Sequence, residues 1–348
     1  MMCGKTFVWA AMLVMVGAAV TLPAQAPPSP AKPPQLAVRP LSDAEKKAFL
    51  DWVPAHYQSP EDMVVGLFRD RDIVFLANGH GKQEGEFAQG LMKRLHQAGI
   101  YNFSYEFVLH ANQAKMDTLL AGDAFDVELA RELVYNRYED GYLEDVDLLK
   151  AAWQVNRQRP KGSRPFRIVG INEADGTDLA PKGTPLPELN RIRNKYLNGH
   201  RRDVVNFTWA GFLSRDFVAT KEKALVYVGS AHATTRFRLD RRPLTAHFTS
   251  VGNLLFNYIG EKAGTVCLDP GGKPKELDAL MAAVPAQYRR IGLAPKKGTP
   301  PGDLPIAVRG FVDGRASDFT LADYCDGYVY GYKTGEDKPL TPYTRKKF

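Results

Sequence analysis

The 348-residue chain is 44% hydrophobic and 24% charged, a globular balance that excludes a collagenous, disordered or multi-span membrane protein. Forty-six Lys+Arg against 39 Asp+Glu leave a net charge of +7. The basic residues form no long block, so no nucleic-acid partner is predicted. Three cysteines are too few for a disulfide-built scaffold, and a packed core must hold the fold.

Lys5, the apolar run over residues 7–20 and the small residues Ala24 and Ala26 read as a secretory signal peptide over 1–26. The run is shorter than the roughly 20 residues a membrane span needs. Export to a periplasmic or secreted location is therefore expected, with no stable membrane insertion after cleavage. Cys267 and Cys325 are then the cysteines of the mature chain, either paired or kept as two buried thiols. Residues 27–40 are proline-rich and predict an extended linker, followed by a single α/β domain over 41–348.

Within that domain Ser42 is placed to cap a helix carrying Ala44, Phe49 and Trp52. Residues 73–76 (Ile-Val-Phe-Leu) lack polar alternation, the signature of a strand covered on both faces. Phe87, Leu91 and Leu95 then mark an amphipathic helix, and 101–107 the next strand. Helical patterns fill about 110–157, clearest at Tyr142, Val146, Leu149 and Trp153. A third strand is predicted at 166–171, a long helical stretch at 187–219 and a fourth strand at 225–228. Short strands are expected near 265–269, 305–310 and 326–332, with a helix near 275–284. This alternation predicts an α/β fold with a mostly parallel central sheet and helices on both faces.

In such a sheet ligands bind at the carboxyl ends of the strands. The first strand runs into Asn78-Gly79-His80-Gly81, the second ends at Glu106, the third at Asn172-Glu173, and the fourth at Gly229-Ser230-Ala231-His232. Glu84, one helical turn beyond His80, heads the apolar stripe, where a carboxylate needs a partner and His80 is available. The alternative for Glu84 is a first-turn residue that favours the helix dipole. Arg202 is a candidate for an anionic substrate group and Asn78 for a hydrogen bond to substrate. Arg236, Arg238, Arg241 and Arg242 read as a solvated loop. No GxSxG elbow, Walker loop, HExxH or paired CxxC occurs, which argues against serine hydrolases, NTPases and zincins.

These strand-end motifs resemble the superfamily that joins erythromycin-esterase-like proteins, ChaN-type haem-uptake proteins and the Tiki/TraB group. In that superfamily the first strand ends in a Gly-Glu-x-His type of motif; here the segment reads Ala77-Asn78-Gly79-His80. Glu106 matches the second-strand glutamate, Arg202-Asp203 the Arg-Asp pair that opens a helix, and His232 the late strand-end histidine. Tyr324-Cys325-Asp326-Gly327-Tyr328 is similar to the closing strand of esterase-like members. The resemblance spans about 70–332. Asn78 replaces the usual glutamate and cannot serve as a base or a charged ligand at neutral pH, so what transfers is His80, Glu84, Glu106 and His232. The expectation is an exported hydrolase, acting on an ester bond of a small molecule. In it His80 activates water or a substrate hydroxyl, Glu84 or Glu106 fixes the His80 tautomer, and His232 protonates a leaving group or stabilises developing negative charge. No cofactor is predicted; the alternative is a periplasmic binding protein for haem or a divalent metal.

Overall fold

The described residues of the computed structural model form the strands β1 (Ile73–Asn78), β2 (Asn102–Leu109), β3 (Gly141–Tyr142), β4 (Arg167–Asn172), β5 (Ala224–Gly229), β6 (Ala263–Cys267), β7 (Ile291–Leu293), β8 (Gly327–Tyr330) and β9 (Pro342–Tyr343). The structure describes residues 38–134, 141–173, 202–237, 249–268, 276–306, 319–333 and 338–343, with isolated positions between them. Residues 1–26, read from the sequence as a signal peptide, and most of the proline-rich stretch lie outside the described residues, as do Arg238, Arg241, Arg242 and the side chain of Arg202.

Seven strands form one sheet in the order β4-β2-β5-β1-β6-β8-β7, and β3 pairs with β9 in a separate two-stranded ribbon. All neighbours in the large sheet run parallel except the edge pair β7–β8. Every residue of β1 and β5 is buried, as the unbroken apolar runs require of central parallel strands. Side chains alternate between two cores. Val74 and Leu76 of β1 join Leu225 and Tyr227 of β5 on one face. Ile73, Phe75 and Ala77 join Ala224, Val226 and Val228 on the other. Leu91, Met92 and Leu95 of the helix Lys82–Gln97 and Leu148 and Leu149 of the helix Leu143–Gln158 cover the first face. Trp209 and Leu213 of the helix Arg202–Leu213 and Val251 and Leu255 of the helix Val251–Ile259 cover the second. The fold is thus the α/β class that the sequence predicts.

Two strand predictions need correction. Residues 291–293 form β7, an antiparallel edge strand that the sequence did not announce. Pro305 and Ile306 make only isolated bridges, to Thr320 and Pro274, and 307–310 lie outside the described residues. The predicted helix near 275–284 is found at Leu277–Ala283. No described helix is long and apolar enough to cross a membrane.

The order places β5 between β2 and β1, with β6 on the other side of β1. The chain leaves β1 toward β2 and leaves the adjacent β6 the opposite way, toward β8 and β7, so a crevice at the carboxyl ends beside β1 is the expected ligand position.

Candidate active site

Three adjacent strands, β2, β5 and β1, deliver Glu106, His232 and His80 to that edge. Asn78 and Gly229 are register partners at the ends of β1 and β5, so the two histidine-bearing loops leave the sheet side by side.

His80 sits at φ +64°, a left-handed conformation uncommon outside glycine. A side-chain turn holds it there: the His80 backbone N–H donates to Asn78 Oδ1 at 2.8 Å. The turn aims the imidazole back over the sheet. Its Nδ1 stands 3.3 Å from Glu106 Oε1, and its ring lies 5.0 Å from that of Phe107. Glu106 is buried and its Oε1 also accepts the Gly229 N–H at 2.9 Å, so the carboxylate is fixed independently of the histidine. The pairing of β2 with β4 shifts register between Tyr105 and Leu109, and Glu106 lies in that irregular stretch. Such irregularities re-aim side chains. Gly170 of β4 permits this one, because a Cβ there would meet Val108 O at 2.6 Å.

Glu84 stays one turn from His80 but faces another way. Its Oε2 accepts the backbone N–H of Gly81, the residue before its own helix, and its Oε1 accepts the Tyr332 hydroxyl at 2.9 Å. Lys333 Nζ lies 3.7 Å from the same oxygen. Of the two glutamates offered by the sequence, Glu106 faces His80, while Glu84 ties the start of the Lys82–Gln97 helix to Tyr332.

His232 has a neutral partner. Its Nδ1 lies 2.7 Å from Asn206 Oδ1, which also accepts the Val251 backbone N–H at 3.2 Å. The second bond identifies that amide atom as the oxygen, so neutral His232 carries its proton on Nδ1 and presents a lone pair at Nε2. The Trp209 ring packs against the imidazole at 4.8 Å. Sequence reasoning missed Asn206 and Trp209. The available signal was a polar residue at the head of the stripe Asn206, Trp209, Leu213, where burial demands a partner.

Among the described residues, four buried polar atoms at this edge meet no hydrogen-bond partner: Asn78 Nδ2, Asn206 Nδ2, Trp209 Nε1 and Glu173 Oε1. Each such group costs about 1–3 kcal/mol unless something occupies it. Among the described residues no three of His, Cys, Asp and Glu are grouped to hold a metal ion. Other polar and thiol side chains have structural work. His110 stacks on Phe212 at 4.1 Å, with Nδ1 2.8 Å from Gly170 O. Arg236 pairs with Asp326 at 2.8 Å and Glu261 at 2.7 Å rather than lying in a solvated loop. Cys267 and Cys325 are buried free thiols. Burial, reinforced by Cys267, pushes the Cys325 thiol well up.

Fold and site together define an α/β protein with histidine and glutamate side chains at the carboxyl edge of its parallel sheet. No family model matches the chain. The sequence is 25% identical over 178 residues to the type III effector protein HopBA1 of Pseudomonas syringae pv. aptata, covering 50% of this chain and 66% of the effector, just under two thirds of its length. Among solved structures the chain is similar to a succinoglycan biosynthesis protein, with a TM-score of 0.53 and 11% identity over 88% of this chain and 100% of that one. A mutant of erythromycin esterase EreC in its open conformation superposes with a TM-score of 0.47 and 11% identity, covering 81% and 99% of the two chains. The HopBA1 structure gives a TM-score of 0.39 at 18% identity, covering 67% of this chain and 86% of the effector. These structural likenesses concern the fold.

Proposed function

We propose that the protein is an exported hydrolase that cleaves an ester bond of a small molecule by direct attack of water between His80 and His232. The observation that carries this reading is the His80–Glu106 pair. It joins an imidazole on a strained turn to a buried carboxylate that a separate backbone N–H holds in place. Such a carboxylate orients a histidine base and stabilises the imidazolium that forms as the base takes a proton. His80 removes a proton from water, and the hydroxide oxygen bonds to the ester carbonyl carbon. Asn78 Nδ2, buried and without a partner beside the His80 turn, is the donor we assign to the developing oxyanion. When the carbon–oxygen bond breaks, the leaving alkoxide takes its proton from the imidazolium of His80 or from protonated His232. We assign Arg202, at the start of the Asn206 helix, to any anionic group of the substrate.

The leader over 1–26 supports export, and the likeness to a type III effector accords with a protein that acts outside the cell that makes it. The test is purification of the mature chain, metal analysis, an absorption spectrum, and initial rates on a panel of simple esters. The hydrolase reading expects ester turnover that persists in chelator and is lost in His80→Ala with the unfolding midpoint retained. A Soret band or a stoichiometric divalent metal, without ester turnover, would replace it with the binding-protein reading.

A further inference from the structure

The helix Arg202–Leu213 turns Asn206 and Trp209, three residues apart, to one buried face. His232 packs on both, through the Asn206 amide oxygen at 2.7 Å and the Trp209 ring at 4.8 Å. Among the described residues the Asn206 amide nitrogen and the Trp209 indole N–H are nevertheless buried without an acceptor. On the same turn of helix the Thr208 hydroxyl, 3.1 Å from Val204 O, also lies 3.3 Å from Glu173 Oε2. The other carboxylate oxygen, Oε1, is buried without a donor. Nearly all buried polar groups in folded proteins are hydrogen-bonded. Three exceptions, two on one turn of this helix and the third on the Glu173 carboxylate that follows β4 and meets Thr208 of that turn, point to a ligand that supplies the missing bonds.

The three atoms specify the chemistry of that ligand. Two are N–H donors and one is a carboxylate oxygen. A hydroxyl group matches this set, since its oxygen accepts two hydrogen bonds and its proton donates one. A carboxylate or phosphate would accept from both N–H groups but be repelled by Glu173. An ammonium would satisfy Glu173 and confront the two N–H groups with a third donor.

We propose that Glu173, Asn206 and Trp209 form a subsite beside His232 for an uncharged, hydroxyl-bearing part of the substrate, such as the alcohol of a hydroxy ester. The proposal deepens the hydrolase reading and rests on it for the position of the scissile bond. Recognition of the hydroxyl stands on the three unpartnered atoms.

Binding is therefore measured without turnover, in His80→Ala protein. The probes are methyl lactate and methyl 3-hydroxybutyrate, with methyl propionate and methyl butyrate as deoxy controls. The readout is the indole N–H resonance of Trp209, assigned by its disappearance in Trp209→Phe. A saturable shift is expected with at least one hydroxy ester and none with the controls. Glu173→Gln, a conservative change at a partly exposed side chain, should weaken that binding at least tenfold, because a site built around a hydroxyl discriminates strongly when a partner changes. A resonance that moves for no probe, or equally for hydroxy and deoxy esters, overturns the subsite and leaves water as the occupant. Failure of the wild-type protein to hydrolyse any ester would instead overturn the catalytic reading, and the binding result would stand apart from it.

Discussion

Gly229→Ala tests the packing beneath His80 with a single methyl group. Gly229 has φ −54° and ψ 141°, a conformation open to any residue, so alanine introduces no backbone strain. A Cβ built there lies 2.7 Å from His80 Nε2, 3.2 Å from its Cε1 and 3.7 Å from Glu106 Oε1. Ordinary contact begins at 3.4 Å, so the imidazole must retreat by about 0.7 Å or rotate. It cannot retreat freely, because its backbone is held by Asn78 and its far side by Phe107. A misplacement of about 1 Å at a reacting group costs on the order of 100-fold in rate. The expected loss in kcat/KM for ester hydrolysis is therefore about 10- to 100-fold, with overpacking costing about 1–3 kcal/mol of stability. Gly90→Ala is the control: its Cβ meets nothing within 4 Å, and alanine there should stabilise the helix by up to about 1 kcal/mol with unchanged kinetics. Wild-type kcat/KM in Gly229→Ala would refute the placement of His80 as a working base.

Asp326→Asn should destabilise the fold without touching catalysis. Its buried carboxylate accepts from Arg71 at 3.0 Å, from Arg236 at 2.8 Å and from the Thr265 N–H at 2.8 Å. Removing its charge leaves two guanidinium groups under-compensated, a loss of about 3–5 kcal/mol measurable by urea unfolding; a change below about 1 kcal/mol would contradict the role. Acid should weaken the fold through Glu144 and Glu222. Burial opposes ionisation of both, but Thr341 and Lys82 hold Glu144, and Arg164 and Asn102 hold Glu222, below the ordinary carboxylate range. Groups lowered on folding contribute stability above their unfolded value and lose it as pH falls through the folded value. Urea midpoints should thus drop below about pH 4, and less so in Glu222→Gln. Cys267 and Cys325, both buried, should resist iodoacetamide in the native protein and react once unfolded under reducing conditions, as mass spectrometry will show. Labelling of the native protein would contradict their burial.

The parallel strands were legible because central strands covered on both faces must be written as unbroken apolar runs, as 73–76 and 225–228 are. The strand β7 was not, because three residues, Ile-Gly-Leu, acquire their conformation from pairing with β8 rather than from their own pattern. At the site, sequence order placed His80, Glu106 and His232 at one edge, since parallel strands must share their carboxyl ends. It could not say which glutamate faces His80. Spacing puts Glu84 one turn away, but the direction of its carboxylate follows from Gly81 and from Tyr332, 248 residues later. Asn206 escaped notice for the same reason, because its partner His232 lies on a different element and only folding joins them.

The most direct test of the central claim is a double-mutant cycle on ester hydrolysis, comparing kcat/KM for His80→Ala, His232→Ala and the combined variant, with unfolding midpoints measured alongside. Residues that act as one unit are strongly non-additive. Each single change is expected to remove nearly all activity, the combined variant to be no slower than the worse single one, and all three to unfold near the wild-type midpoint. Rates close to wild type in either single variant, or losses that multiply as for independent sites, would contradict that claim.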